Sequence, residues 1–97
     1  MLSLPAQLTL RDARVTLAAL SPAIAAAPAG TIVVDASALT HIDSSALAVL
    51  LQCRRQAEAR QCGFAVHHAP ARLVELARLY GVQELLGLQA AGAAPSV

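Results

Sequence analysis

Asp43, Ser44 and Ser45 stand in succession, a carboxylate followed by two hydroxyls, where an extended apolar run gives way to a helical one. Upstream, Ile32-Val33-Val34-Asp35 reads as a buried strand. Downstream, the residues from Ala46 to Leu51 are apolar nearly all round, as at the start of a deeply packed helix. The first turn of a helix has unpaired N–H groups and the positive end of the helix dipole, so an anion attached to Ser44 or lying against it is favoured there. Capping alone accounts for the residue types, because Asp and Ser are preferred N-caps. The alternative is a switch: a phosphate on Ser44 adds about −2 charge and three acceptor oxygens beside Asp43, which alters partner binding more than fold stability.

Other groupings carry less chemistry. His41, Asp43 and Ser44 are the residue types of a hydrolytic triad, but triads are defined by geometry, and no Gly-x-Ser-x-Gly elbow or second convergent group accompanies them. The chain therefore reads as a non-enzyme. Cys53 and Cys62, nine residues apart, are expected on opposite faces of one helix and about 13 Å apart, too far to pair. With no Cys-x-x-Cys and no histidine at zinc spacing, neither a metal nor a cofactor is expected. Two unpaired thiols fit a reducing cytoplasm. His41 is expected at a loop surface, and His67-His68 as a polar pair in a turn before Pro70.

The elements that must position these residues alternate. Residues 2–4 form a short edge strand, where Pro5 is tolerated. Thr9, three residues before Asp12, resembles a capping box opening a helix through Val15, Ala18, Ala19 and Leu20 toward Ile24. Ser21-Pro22 should kink or split that helix. Residues 31–35 make a β-branched central strand, and the second helix starts at Asp43 or Ser44 and is broken at Gly63. Phe64-Ala65-Val66 gives a further strand. Pro70 then opens a third helix with Leu73, Leu76, Ala77 and Tyr80 on one face, stopped by Gly81. Residues 82–88 close the domain as a turn or short helix. This alternation predicts an α/β layer with parallel neighbours, with 1–88 as one domain and 89–97 as a flexible, Ala-Gly-Pro-rich tail.

Composition narrows the function. The 97 residues suffice for one core, and with 57% hydrophobic but only 2% aromatic residues that core is built from Ala, Leu and Val. Seven arginines, spread from Arg11 to Arg78, are nearly balanced by six acids, which leaves no basic stripe for nucleic acid. Residues 15–34 are uncharged and contain an Ala-rich stretch like a signal-peptidase site. Pro22, Pro28 and Gly30 interrupt it and Asp12 precedes it, so it is read as part of the fold rather than as a leader or a span. No amphipathic basic helix offers direct membrane contact.

The run Asp35-Ala36-Ser37-Ala38-Leu39-Thr40-His41-Ile42-Asp43-Ser44-Ser45-Ala46-Leu47-Ala48-Val49-Leu50-Leu51 resembles the signature of STAS domains, in which an Asp-Ser-Ser-Gly or Asp-Thr-Gly-Gly element opens the second helix. Leu76-Ala77-Arg78-Leu79-Tyr80-Gly81-Val82 is similar to a segment of the MlaB-like branch, a subunit of the bacterial phospholipid-trafficking ABC transporter. The resemblance runs from about Leu2 to Leu88. It implies a mixed β-sheet with helices packed on it and two opening strands, of which only one is legible here. The N-terminal edge strand is thus missing, supplied by a second copy in a homodimer through an uncovered edge, or lost to the choice of start.

The resemblance also implies that Ser44 is the regulatory or phosphorylatable hydroxyl, with Asp43, Ser44, Ser45, Leu47 and Ala48 at the partner surface and Tyr80 bordering it. Many relatives have Gly near Ala46, and a methyl there narrows the gap at the helix mouth. The implied partner is the ATPase subunit of the transporter, which maintains outer-membrane lipid asymmetry. The module would be cytoplasmic, peripheral to the inner membrane through that partner. The alternative is an anti-sigma factor antagonist that binds a serine kinase and is switched by phosphorylation of Ser44.

Overall fold

The computed structural model describes residues 2–90. Nine short elements follow one another: β1 (Leu2–Ser3), β2 (Gln7–Leu8), α1 (Ala13–Ala26), β3 (Thr31–Asp35), β4 (His41–Ile42), α2 (Ser45–Ala59), β5 (Gly63–Ala69), α3 (Ala71–Leu79) and β6 (Leu88–Ala90). The main sheet has the order β1-β3-β5-β6, and β2 pairs separately with β4. Its centre is the β3–β5 ladder, in register from Thr31 opposite Gly63 to Asp35 opposite His67.

The α/β class is as expected, but every ladder among the described residues is parallel, not mixed. The opening segment changes partner at Pro5, which cannot donate to a ladder: Leu4 N–H still reaches the Asp35 carbonyl, whereas the Ala6 carbonyl accepts from the N–H groups of Thr40 and His41. Instead of folding back as an antiparallel hairpin, the segment runs on from β3 to β4. The second opening strand, unread in the sequence, is therefore present as Gln7–Leu8. Two residues per strand are too few to show a periodicity of two.

Thr16, Leu20 and Ile24 are the buried residues of α1, whereas Val15 is 73% exposed. Of the residues expected along this helix, Leu20 and Ile24 are thus the ones that enter the core. Asp12 closes the start of the helix, its carboxylate accepting from the Thr9 N–H and hydroxyl. Pro22 lies within α1 without splitting it. Its neighbour Ser21 donates to the Leu17 carbonyl and accepts from the Gln56 amide of α2, so a polar contact joins the two helices at the proline. The core joins Leu8, Ile24, Val34, Leu50, Val66, Leu73 and Leu86, all fully buried. No helix among the described residues is long and apolar enough to cross a membrane.

Residues 82–87 form a turn, and β6 then continues the sheet through Gln89 and Ala90, the first two residues assigned to the tail; the rest of that segment, 91–97, lies outside the described residues. The β5–β6 register shifts between Val66 and Ala69, where β5 carries one more residue than its partner. That bulge holds His68 at φ 59°. His67 and His68 are thus strand residues and not a turn pair.

Gly87 makes the entry to β6. Its φ is +58°, and a Cβ there would sit 2.9 Å from the Phe64 carbonyl oxygen and 3.4 Å from the Ala65 Cα. Backbone strain and a clash with a central strand then act together, so Gly87→Ala should destabilise the fold by about 1–3 kcal/mol. A urea melt checks this; an unchanged midpoint would show that β6 contributes little to the cooperative unit.

Candidate functional site

The start of α2 is organised by Asp43. Its Oδ1 accepts from the Ser45 N–H at 2.8 Å, and its Oδ2 accepts from the Leu10 N–H at 3.1 Å. One carboxylate thereby caps the helix and pins the β2–α1 connection against it. The N–H groups of Ala46 and Leu47 go to the carbonyls of Asp43 and Ser44. Donors at this mouth are largely engaged, and the negative charge suited to the helix dipole is already in place. Donation by Leu10, then by Ser45, holds the Asp43 carboxyl below the ordinary carboxylate range.

Ser44 is the N-cap residue by position, but its hydroxyl makes no cap bond. It is exposed, as is Ala48 one turn on, while Ser45 is half-buried and Ala46 and Leu47 are buried. The five residues read as a partner surface thus divide. Ser44 and Ala48 face outward, Asp43 and Ser45 hold the mouth together, and Leu47 is core with its edge on the surface. Ala46 is wholly buried and so does not narrow an approach to the mouth.

Ser44, Leu47, Ala48 and Leu51 form one wall of a shallow cleft of about 360 Å³, closed by Tyr80 and Val82 from the end of α3 and the turn after it. Tyr80 is 58% exposed and ends no core stripe: α3 stops at Leu79, and only Leu73 and Ala77 of its face are buried. Leu10 is 77% exposed and held beside the helix mouth through its N–H. Leu10 and Leu51 were not legible as site residues, since a leucine beside a core stripe looks like part of the stripe, whereas Val82 closes the Leu76–Val82 segment that carries the resemblance.

The triad reading fails on geometry. His41 Nδ1 contacts the Thr40 hydroxyl, Asp43 is committed to two backbone N–H groups, and no hydrogen bond links His41, Asp43 and Ser44. A second polar cluster lies at the carboxyl ends of β3 and β5, where Asp35 accepts from the Ser37 N–H and hydroxyl and meets His68 Nδ1 at 3.0 Å. Those bonds, led by the Ser37 N–H, hold the Asp35 carboxyl low. Ser37 and His68 both bond the carboxylate and not each other, so no proton relay to a nucleophile exists there.

Cys53 is fully buried and Cys62 nearly so. Cys62 is not on α2, which ends at Ala59; Gln61, at φ 59°, turns the chain toward β5. The separation expected from a shared helix therefore does not apply. Burial pushes the Cys53 thiol up to about 11, away from nucleophilic chemistry. No group of three or more metal-ligating side chains occurs among the described residues.

Because its folded-state pKa is lowered, Asp43 stabilises the fold above its unfolded value, about 3.9, and the contribution is lost as pH falls through the folded value. Asp43→Ala should lower the urea midpoint at pH 7, with Asp43→Asn, which keeps one acceptor, in between. The gap between wild type and Asp43→Ala should be constant from pH 7 to about 5 and close below about 4. A gap of equal size at pH 3 would show that the carboxylate charge plays no part.

Comparison with known proteins bears on this arrangement. A family model described as "Mlab, STAS domain" matches residues 1–88. No curated protein is detectably similar. Among solved structures, an anti-sigma-factor antagonist (STAS) domain protein from Planctomyces limnophilus superposes with a TM-score of 0.77, covering 94% of this chain and 80% of its own at 17% identity, a likeness of fold. The family pattern spans nearly every described residue, including the Asp43 clamp and the Tyr80 turn, and the chain belongs to the STAS family, in the group described as Mlab, STAS domain.

Proposed function

We propose that this chain is a non-catalytic docking module for the ATPase subunit of a Mla-type phospholipid ABC transporter, placed by that partner at the cytoplasmic side of the inner membrane. STAS domains are typically protein-interaction modules. The observation that carries the reading is the cleft beside Ser44, where an exposed hydroxyl and Ala48 meet a partly exposed apolar wall of Leu51, Tyr80 and Val82. Large side chains left in water around a polar rim mark an interaction surface. Bound there, the module can favour one conformation of the ATPase only to the extent that it binds that conformation more tightly. Hydrolysis and lipid handling belong to the partner assembly.

A second reading, an anti-sigma factor antagonist, is favoured by one feature. The Ser44 hydroxyl is exposed and makes no cap bond, as a kinase substrate requires. A phosphate there would face the Asp43 carboxylate and a helix mouth whose donors are taken, so it would repel an acidic partner without reordering the helix.

Ala48→Glu places a charge in the cleft without touching the core. Co-purification of the tagged chain with an ABC ATPase and its permease from native cells is expected for wild type, and the substitution should weaken it at least about tenfold, with Ser44→Glu smaller in effect. Recovery of a serine kinase that phosphorylates Ser44 would transfer the assignment to the second reading. Recovery of neither partner would overturn both.

A further inference from the structure

The apolar cleft does not stand alone. Leu47, Leu51 and Arg54 fall at i, i+4 and i+7 on α2 and so form a single stripe. Beyond the apolar cleft this stripe enters a second one, of about 470 Å³, lined by Arg54, Arg78, Gly81, Gln83, Glu84 and Leu85. Both clefts have α2 as one wall and the same segment, residues 78–85, as the other. The α2–α3 seam therefore changes character along its length, apolar at Ser44 and polar, with two arginines, at Arg54.

The arginine end has open donors. Arg54 Nη1 is engaged by Glu58 at 2.5 Å, a pair one helical turn apart that orients the guanidinium, while its remaining N–H groups have no bond among the described residues. Arg78 is exposed in the last turn of α3 and makes no ion pair among the described residues. Glu84, the one acid lining this cleft, bonds neither arginine. Two guanidinium groups with open donors suit a carboxylate. At 1.5 Å rise per residue, Arg54 lies about 9 Å along the axis from Ala48.

Resting on the docking function proposed above, we infer that the seam takes a partner segment carrying two features about 9 Å apart: an apolar side chain seated against Ala48, Leu51, Tyr80 and Val82, and an Asp or Glu carboxylate held by Arg54 and Arg78. The apolar contact supplies affinity, and the charge pair sets register and orientation and rejects basic segments. The arginines are thus determinants of partner specificity at a site whose apolar half alone would accept many sequences.

The test is selection of random 12-residue peptides displayed on phage against the full chain, followed by fluorescence anisotropy of the best peptide. Enriched peptides should combine an apolar residue with Asp or Glu. Changing that acid to its amide, or using Arg54→Gln/Arg78→Gln protein, should each weaken binding about tenfold, whereas Arg72→Gln, an arginine outside both clefts, should not. The peptide-side substitution keeps the test decisive should the double variant fold poorly. Acid-free winners, insensitivity to the amide, or no enrichment would overturn the inference. Binding lost with Ala48→Glu but kept with Arg54→Gln/Arg78→Gln would sink the charge pair and leave the docking site standing. Insensitivity to both would remove the two together.

Discussion

The Asp43 carboxylate, shared between the Ser45 and Leu10 N–H groups, is the contact on which the proposed docking surface depends. A helix start needs an acceptor for its free donors, and the connection between β2 and α1 has no ladder of its own to hold it. One side chain meets both needs. Since Asp43 does the capping, the Ser44 hydroxyl is spared from it and turns outward. Since the second oxygen accepts from the Leu10 N–H, the backbone of an exposed leucine is fixed to the same mouth. A residue that reads as part of a binding motif thus works mainly by holding the motif in shape.

That division changes how a charge on Ser44 would act. A helix mouth with open donors would welcome a phosphate, but here those donors are engaged and a carboxylate is already seated. Modification would therefore add repulsion at the surface and gain no new bonds in the fold. Local electrostatics of this kind suit a module whose partners sense the surface while the core, packed on Leu50, Val34 and Val66, stays unchanged.

The α2–α3 seam depends on where α3 ends. Had the third helix continued past Leu79, Tyr80 would have completed the stripe of Leu73 and Ala77. Instead Gly81, at φ +70°, turns the chain, and Tyr80 and Val82 wall an apolar cleft while Arg78 and Gln83 wall a polar one. The bulge at His68 has a similar effect at the other site, bringing the imidazole to Asp35.

By itself the sequence determined what local physics can carry: the β-branched strand at Thr31–Asp35, the apolar start of α2, the Gly81 stop, and the Asp-Ser-Ser element at a helix mouth. Each is a property of a few neighbouring residues and their backbone preferences. Tertiary structure decided the rest. The partners of two-residue strands, the course of the opening segment past Pro5, the bulge at His68, and the division of labour between Asp43 and Ser44 all depend on groups more than twenty residues apart in the chain, such as Leu10 and Asp43. No spacing within one element records such a contact, because the energy that selects it arises only when the elements meet.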